Sequence, residues 1–397
     1  MYIKRLLTPF IKQLLNQFPA VLLSGARQSG KSTLLKKNFP NYTYVTLDDI
    51  QARDTATRDP KAFLNFYKPP LIVDEIQNAP DLLSYIKIEI DNNRKRKGQY
   101  ILTGSQQFTL VADIHESLAG RLGMATLTPI AIEELRKKKI STWIDYSLRG
   151  LYPELVADAK LESKLWYSAY IESLLNKDIR DNLKKEHLGT YDRFIKLLAA
   201  RCSQELKYQE FAKELGVSNL TIQSWISLLE RSQIIFLLQP YYKSLGKRIV
   251  KSPKLYFLDT GLVSYLSGNT TKEIIENGPM AGALFENFVI SEIYKSFCNR
   301  GIKPPLYHFR DSQGVEVDLV LEYENKYLLL ELKMTMTPKK DHASGLEKVN
   351  KLFPAARSIV LCNVKNKVPL SKETVAIHWL DIFEILGPSL SYPNSPT

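Results

Sequence analysis

Residues 25–32 form a glycine-rich segment, Gly-Ala-Arg-Gln-Ser-Gly-Lys-Ser, whose residue types and spacing suit it to binding phosphate groups. Glycines allow backbone N–H groups to surround phosphate oxygens, Lys31 can reach the β- and γ-phosphates of a nucleotide, and Ser32 can ligate Mg²⁺. The flanks fit, because the apolar run 20–23 predicts a buried strand and residues 33–37 predict a helix whose positive end faces the phosphates. We therefore predict that ATP and Mg²⁺ bind at Gly25, Ala26, Arg27, Gln28, Ser29, Gly30, Lys31, Ser32 and Thr33.

A second apolar run ends in two acidic residues. Residues 71–73 are typical of a central parallel strand, and Asp74 and Glu75 follow them directly. Ligands collect at the carboxyl ends of such strands. We expect Asp74 to hold Mg²⁺ through water and Glu75 to polarise the water that attacks the γ-phosphate.

Two further segments contain candidate catalytic residues. Residues 99–105 predict a strand that ends in small polar residues, so Thr103 or Ser105 would lie beside Asp74 and sense the γ-phosphate. A plain turn at the strand end is the alternative. Arg121 could complete the site of its own chain, reach a neighbouring subunit as an arginine finger, or form a surface salt bridge. These three roles stay open, and the second would require a homo-oligomer.

Together these motifs resemble those of a prokaryotic AAA-like P-loop ATPase family. The resemblance is carried by residues 25–32, 47–49 (Leu-Asp-Asp), 73–77 (Val-Asp-Glu-Ile-Gln), 102–105 (Leu-Thr-Gly-Ser) and 118–121 (Leu-Ala-Gly-Arg). It implies an AAA-type α/β domain that hydrolyses ATP and gives the strand-end Thr or Ser the sensor-1 role. It also implies a C-terminal domain of unknown function with a restriction-endonuclease-like appearance.

The middle of the chain, residues 136–278, is predicted to be mainly helical. Residues 209–215 and 219–231 predict two helices joined by a turn at Gly216, and a strand follows. This is a helix-turn-helix pattern with a polar cap on its second helix. We expect a winged-helix-like segment at about 204–260.

The formal net charge of +12 favours an acidic partner, so we expect sequence-independent binding of nucleic acid, DNA in particular. The second predicted helix has Gln223 and Ser224 but no Lys or Arg before Arg231, which makes it unsuited to reading bases. The basic and aromatic stretch 241–251 suits phosphate contacts better. The alternative is that the basic clusters are solvated helix ends and hairpin residues.

Two alternating stretches near the C-terminus predict a β-hairpin in which apolar positions share one face and acidic positions the other. The apolar faces comprise Val315, Val317, Leu319 and Leu321 in the first stretch and Leu328, Leu330 and Leu332 in the second. The tightest turn that matches these faces is at 324–325, and it places Asp318 opposite Glu331 and Glu316 opposite Lys333. Facing carboxylates repel each other, and a divalent cation would reverse the sign of that interaction.

The spacing of Asp318, Glu331 and Lys333 resembles the PD-(D/E)xK nuclease superfamily, and Glu286, in a predicted helix, matches its additional helical acid. The resemblance implies that Glu286, Asp318 and Glu331 hold Mg²⁺. It implies that Lys333 orients the attacking water or steadies the charge of the phosphorane. Val317 stands where the motif has Pro. The alternative is an edge hairpin with a solvated acidic face.

Length and composition limit the other possibilities. A chain of 397 residues with 44% hydrophobic and 24% charged residues is expected to form two or three globular domains. Its apolar runs are much shorter than the roughly 20 residues needed to cross a bilayer, and its N-terminus lacks a secretory signal. We expect a cytoplasmic protein without a membrane partner. The three cysteines are scattered, which argues against a disulfide framework and against a zinc site.

The predicted fold is an α/β P-loop NTPase core of AAA-like type (1–135), a helical, winged-helix-like middle (136–278) and an α/β restriction-endonuclease-like C-terminal domain (279–397). Three functions share ATP hydrolysis. The first is a DNA-processing enzyme whose ATP state gates the nuclease, and the second is a regulatory ATPase whose inactive nuclease-like domain binds partners. The third, a protein-remodelling machine, is disfavoured because no pore-loop aromatic motif is evident after the phosphate loop. We expect the first.

Overall fold

A computed structural model describes residues 2–104, 118–135, 142–174, 188–241, 252–323 and 326–387. The strands of its first sheet are β1 (Ala20–Gly25), β2 (Thr43–Thr46), β3 (Leu71–Asp74), β4 (Tyr100–Thr103) and β5 (Leu122–Leu127). They are parallel, in the order β2-β3-β4-β1-β5. β1, β3 and β4 are buried along their whole length, as continuous apolar runs in a covered parallel sheet require. The strands predicted from residues 20–23, 71–73 and 99–105 are confirmed.

Helices cover both faces of this sheet. They are α1 (Thr8–Gln17), α2 (Lys31–Asn38), α3 (Ile50–Arg58), α4 (Pro60–Phe66) and α5 (Leu82–Asn92). α3 and α4 each begin after an aspartate, Asp49 and Asp59, whose side chain accepts a hydrogen bond from the first turn. One apolar cluster joins α3, α4 and α5 to the sheet, and another joins α1 and α2 to its opposite face.

The middle of the chain is helical where the structure describes it. Its helices are α6 (Trp143–Arg149), α7 (Pro153–Ala157), α8 (Ser163–Leu174), α9 (Leu188–Ala200), α10 (Tyr208–Leu215), α11 (Asn219–Arg231), α12 (Thr260–Leu266) and α13 (Lys272–Asn277). α10 ends at Gly216, which has a left-handed φ of 68°, and Ser218 caps α11 by accepting from the N–H of Thr221. These two helices and their turn lie where the sequence predicts them.

A second sheet joins the middle and C-terminal parts. Its strands are β6 (Ile235–Pro240), β7 (Lys254–Phe257), β8 (Leu306–Arg310), β9 (Glu316–Tyr323), β10 (Lys326–Leu332), β11 (Arg357–Cys362), β12 (Val368–Pro369) and β13 (Thr374–His378). Their order is β12-β13-β11-β10-β9-β8-β6-β7. The helices of the C-terminal part are α14 (Ala281–Cys298), α15 (Ser344–Asn350) and α16 (Ile382–Leu386). Residues on either side of the expected boundary at 278 therefore share one sheet.

β9 and β10 form an antiparallel hairpin in the predicted register. Leu330 pairs with Leu319, so the next position brings Asp318 opposite Glu331. There the backbone N–H of Leu332 donates to the Asp318 carboxylate at 2.8 Å. The Asp318 side chain thus accepts a hydrogen bond that a main-chain carbonyl would accept in a regular hairpin. The predicted register is confirmed.

One prediction about the faces of this hairpin is wrong. Leu319 packs in the cluster that contains α14 residues, but Val317 packs in the cluster that contains α15 residues, with Val315 against it. The pairing of β8 with β9 shifts between Tyr307 and Phe309. A bulge of this kind reverses the alternation of faces, so the residues before it turn to the other side of the sheet.

α14 connects the C-terminal part to the segment that follows β5. The Glu292 carboxylate accepts from the N–H of Ile132 at 2.7 Å and pairs with Lys295 at 2.5 Å. The ammonium group of Lys295 also donates to the carbonyl of Ile130 at 2.9 Å. Both charged side chains are almost completely buried, so each depends on the other and on these backbone groups.

A single large apolar cluster spans the middle helices, α14 and the α14 face of the second sheet. Among the residues that the structure describes, no helix is both long and apolar enough to cross a membrane.

Candidate functional site

The loop between β1 and α2 has a curved backbone that depends on two glycines. A Cβ on Gly25 would lie 2.3 Å from the carbonyl oxygen of Leu127, and Gly30 has a left-handed φ of 92° at the start of α2. No other residue type fits both requirements without strain. Within the predicted phosphate segment, Ala26 and Ser29 are buried, Arg27 and Ser32 are half-buried, and Gln28 and Thr33 are exposed.

Lys31 points back into its own loop. Its ammonium group donates to the carbonyls of Gly25 at 2.9 Å and Ala26 at 3.1 Å, and the residue is only 8% exposed. An ammonium group has three donors. In this structure Lys31 is therefore bonded within its own loop.

Asp74, at the end of β3, accepts hydrogen bonds from three hydroxyl groups on neighbouring elements. Ser32 donates to it at 2.9 Å, and Tyr44 and Thr103 also donate to it. Burial, followed by the nearby Asp74, raises the pKa of Tyr44 well above its ordinary value. The sequence motifs brought Ser32 and Thr103 to Asp74 as expected, but nothing in the sequence singled out Tyr44 on β2.

Glu75 has a left-handed backbone conformation, with φ at 58°. Its N–H lies 3.3 Å from the hydroxyl of Thr103, and its carboxylate accepts a hydrogen bond from the side-chain amide of Gln77. Non-glycine residues rarely adopt this conformation, and those that do cluster at functional sites.

A cavity of about 370 Å³ lies beside the phosphate loop. It is lined by Tyr2, Ile3, Arg5, Gln28, Gly30, Thr33, Ile130, Pro153, Glu154 and Ala157. Apolar walls with a few polar groups are typical of pockets for small ligands. Its position next to Gly30 suits the base and sugar of a nucleotide whose phosphates enter the loop, and sequence motifs did not reveal it.

Arg5 forms hydrogen bonds with the backbone of the phosphate loop and of the segment after β5. The Arg5 guanidinium donates to the carbonyls of Ser29 at 2.8 Å and Thr128 at 2.7 Å, and pairs with Glu134 at 3.0 Å. Arg5 is 3% exposed and the Glu134 side chain is completely buried. The planar guanidinium group donates several hydrogen bonds in fixed directions, which suits a buried position that is surrounded by several acceptors. The phosphate loop is thus tied to the segment that also binds α14.

Arg121 does not reach the phosphate loop of its own chain. It precedes β5, whose first residue pairs with Ala20 at the amino end of β1, whereas the loop follows the carboxyl end roughly 16 Å away. Its guanidinium instead pairs with Asp91 on α5 at 2.7 Å. This position favours the other two roles, a surface salt bridge or a contact with a neighbouring subunit, because Arg121 lies at the end of the sheet opposite the loop. Ser105 lies outside the described residues.

The C-terminal acids meet at a cleft. Glu286 comes from α14, Glu316 and Asp318 from β9, and Glu331 from β10, and all four line the same cavity of about 940 Å³. Lys333 also lines it and pairs with Glu331 at 2.6 Å. The structure thus brings together every residue of the predicted nuclease-like site.

The carboxylates of this cluster have strongly perturbed acidity. Burial, followed by the charge of Asp318, raises the pKa of Glu286 to about 7 and that of Glu331 to about 7. Burial would lower the pKa of Lys333, but the neighbouring carboxylates of Glu331 and Asp318 outweigh it and raise the pKa. Shifts of this kind are typical of functional sites and also of structural ion-pair networks.

A second lysine, which the sequence motifs missed, lies among the acids. The ammonium group of Lys254 is 2.5 Å from Glu316, 3.3 Å from Glu286 and 3.9 Å from Asp318. Burial would lower its pKa, but these carboxylates raise it well above the ordinary value for lysine. In the part of the chain that the structure describes, no three His, Cys, Asp or Glu side chains stand in an arrangement that would hold a metal ion.

The opposite wall of the cleft belongs to the middle of the chain. Arg201, Lys207 and Phe211 line it, as does Arg310 from the end of β8. His308 lies deeper, is 2% exposed, and has a pKa lowered to about 4 by burial and then by the charge of Lys254. The cations of this wall are paired with acids that line the same cavity, Arg310 with Glu205 at 2.8 Å and Lys207 with Glu210 at 3.0 Å.

Comparison with known proteins supports the description of the phosphate loop and its sheet. Residues 17–136 match a family described as an AAA domain, residues 140–273 match a domain of unknown function (DUF8612), and residues 281–382 match another domain of unknown function (DUF4143). The N-terminal part is thus similar to P-loop AAA-type ATPase domains, and its parallel sheet agrees with that fold.

Relatives extend over most of the chain. An uncharacterized protein of Mycobacterium tuberculosis is 28% identical over 92% of this chain and 81% of its own length. One of Methanocaldococcus jannaschii is 23% identical over 86% of this chain and 80% of its own. Among solved structures, a Walker-type ATPase of Pyrococcus abyssi is similar over 65% of this chain and 94% of its own, with 13% identity and a TM-score of 0.41, which is too low to support a further argument.

Proposed function

We propose that this chain hydrolyses ATP with Mg²⁺ at the loop between β1 and α2. The observation that carries the proposal is the contact of Ser32 with Asp74 at 2.9 Å, because those two groups are the ones that would hold the Mg²⁺ of a bound nucleotide. Lys31 would leave the carbonyls of its own loop and bind the β- and γ-phosphates. Glu75 would orient and polarise the attacking water, while Thr103 would hold Asp74 in place.

ATP turnover by the Lys31→Ala variant tests this assignment. Removing a preorganised contact to the transferred phosphate should lower turnover by roughly 10²–10³-fold. Lys37→Ala is the matched control, because Lys37 lies in the last turn of the same helix and is exposed. Equal turnover by the wild type and both variants would remove the assignment.

We further propose that ATP turnover serves the processing of DNA in the cleft of the C-terminal part. Support comes from the gathering of Glu286, Asp318, Glu331 and Lys333 at one cavity. The lining of the same cavity also includes the cations Arg201, Lys207 and Arg310. This proposal assigns Glu286, Asp318 and Glu331 to a divalent cation, although they do not stand in a metal-binding arrangement in this structure, and it assigns Lys333 to the attacking water or the phosphorane. The basic stretch 241–251 of the winged-helix-like segment would contact the DNA backbone without reading its bases, and residues 242–251 of it lie outside the described residues.

The alternative is a regulatory ATPase whose cleft binds a partner without cutting it. The position of Lys254 favours this reading, since an ammonium group already neutralises the acids. Binding of linear and branched DNA across a salt series, with Mg²⁺ or Mn²⁺ and with or without ATP, separates the two. Cleavage that needs the metal supports processing, whereas salt-sensitive binding without cleavage supports regulation. Absence of binding at low salt would exclude a DNA role.

A further inference from the structure

Three hydroxyl groups donate hydrogen bonds to Asp74, and they are divided between its two carboxylate oxygens. Ser32 and Tyr44 donate to Oδ2, and Thr103 donates to Oδ1. A carboxylate offers about four lone-pair positions, two on each oxygen. Tyr44 therefore helps to occupy Oδ2, and the position that remains for a further donor is on Oδ1.

Tyr44 reaches Asp74 from a position further back along its own strand. β2 runs parallel to β3, with Thr46 paired with Asp74 and Tyr44 paired with Ile72. Two residues along a strand span roughly 7 Å. A tyrosine side chain is long enough to carry its hydroxyl group across that distance, whereas a serine or threonine at position 44 would be too short.

The Tyr44 ring also contacts the helix that follows the phosphate loop. The ammonium group of Lys36 lies 4.0 Å from the centre of the ring, where a cation is attracted to the aromatic face. Lys36 is one turn after Ser32 on α2, so the two side chains lie on the same side of that helix. Tyr44 thus contacts α2 through its ring and Asp74 of β3 through its hydroxyl group.

Hydrogen bonds to both oxygens fix the rotation of a carboxylate group. Tyr44 comes from β2 and Thr103 from β4, the strands on either side of β3, so the Asp74 carboxylate is held from both neighbouring strands. Because the acceptor is charged, these hydrogen bonds are stronger than those between neutral groups. Groups that orient the ligands of a metal ion in this way contribute to metal affinity.

We propose that Tyr44 is a positioning residue of the Mg²⁺ site, and that its hydroxyl group holds the Asp74 carboxylate in the orientation that favours the metal ion. Tyr44 acts through Asp74 and contacts neither the nucleotide nor the ion. This inference rests on the proposed ATPase function, in which Ser32 and Asp74 hold Mg²⁺. The gain in nucleotide affinity that Mg²⁺ provides then depends on β2 as well as on the phosphate loop.

The test compares the binding of mant-ATP, a fluorescent ATP analogue, by the full-length wild type and Tyr44→Phe. Each dissociation constant is measured in EDTA and again in excess Mg²⁺, and the ratio of the two gives the gain in affinity that the metal provides. In Tyr44→Phe this gain should fall roughly tenfold, as expected when a group that orients a metal ligand is lost. Binding in EDTA should stay within about twofold of wild type, because the phosphate loop itself is unchanged.

Tyr42→Phe is the matched control. Tyr42 is also half-buried, but its hydroxyl group donates to the carbonyl of Gly98 at 2.8 Å, so this variant should keep the wild-type gain. Phenylalanine at position 44 keeps the ring over which Lys36 lies, so Tyr44→Phe removes the hydroxyl group alone. In a chain that already carries Asp74→Asn, Tyr44→Phe should cause no further loss, because its effect passes through Asp74.

The outcomes separate this inference from the proposed function. An equal gain in the wild type and in Tyr44→Phe would overturn the positioning role and leave the ATPase assignment in place. A larger gain in Tyr44→Phe would also overturn it, since the hydroxyl group would then compete with the metal ion for Asp74. A similar loss of gain in Tyr42→Phe would attribute the effect to general loosening around β2 and overturn the role as well. No binding of mant-ATP by the wild type would remove the proposed function itself, and the positioning role with it.

Discussion

The phosphate loop and the acid cluster both contain carboxylates removed from solvent, yet different groups stabilise those carboxylates at the two sites. At the loop, hydroxyl groups of Ser32, Tyr44 and Thr103 surround the single carboxylate of Asp74, and Lys31 turns to backbone carbonyls. At the cluster, four carboxylates lie close enough to repel each other and are held together by ammonium groups.

The difference lies in the charge of the groups that contact the carboxylates. Hydroxyl groups carry no charge, so they stabilise Asp74 by hydrogen bonding alone. At the cluster, Lys254 and Lys333 bring opposite charge to the acids.

The largest effect is expected from Glu75→Gln. If Glu75 polarises the attacking water, the variant should keep ATP binding but lose roughly 10²–10³-fold in turnover, because the contact acts mainly in the transition state. Single-turnover hydrolysis and retention of labelled ATP measure the two steps. Glu273→Gln, an exposed carboxylate on α13, should behave as wild type. Loss of binding together with turnover would contradict the role.

Asp318→Asn should affect only the cluster. Its melting shift with Mn²⁺ should disappear while ATP turnover stays within about twofold of wild type, because the two sites lie on separate sheets. Without metal, the variant should be as stable as the wild type or more so, since a repelling charge is removed. A parallel loss of ATP turnover would show that the phosphate loop and the acid cluster are coupled.

A smaller effect should appear in the pH dependence of stability. The pKa of Glu331 is raised from 4.5 to about 7, so the folded protein holds this proton more tightly than the unfolded chain does. The resulting stabilisation is complete below about pH 4.5 and is lost as the pH rises through 7. Between pH 6 and 8 the free energy of unfolding should fall by roughly 1 kcal/mol more in the wild type than in Glu331→Gln.

Denaturant melts at the two pH values measure this difference. Glu347→Gln, an exposed carboxylate on α15, is the control and should keep the wild-type slope. Identical slopes in all three proteins would show that Glu331 does not titrate in this range.

The smallest effect is expected from Arg121→Ala. Since Arg121 pairs with Asp91 at the surface and lies far from its own loop, turnover should stay within about twofold of wild type in dilute protein. Turnover measured across a range of protein concentrations checks this. A loss that wild-type subunits restore would assign Arg121 to a neighbouring site and establish a homo-oligomer.

The two sites also differed in how much the sequence could predict. The loop depends on short motifs whose strand and helix flanks are visible in the same stretch of residues, so Lys31, Ser32 and Asp74 could be placed in advance. The register of β9 and β10 was equally accessible, because matching the apolar faces left one tight turn. Tyr44 was not, since a tyrosine on a short strand carries no motif.

Lys254 and the bulge beside Asp318 escaped prediction for another reason. The lysine meets its carboxylates only because β6 and β7 join the C-terminal sheet, a tertiary pairing with no trace in local periodicity. The bulge is set by the partner strand β8, so an alternation read along β9 alone gave the wrong face for Val317. Contacts between distant segments decided both.

The anchoring of α14 has a consequence for dividing this chain into fragments. A piece that ended before residue 281 would keep Glu133 without Arg300, its partner at 2.8 Å, and the carbonyl of Ile130 without Lys295. A piece that began at 281 would carry Glu292 and Lys295 without the backbone groups of Ile130 and Ile132 that they contact. The whole chain is therefore the unit that can be exchanged between relatives, even though its sequence matches fall into three consecutive blocks. To exchange a single block, residues 128–134 and α14 must be exchanged together.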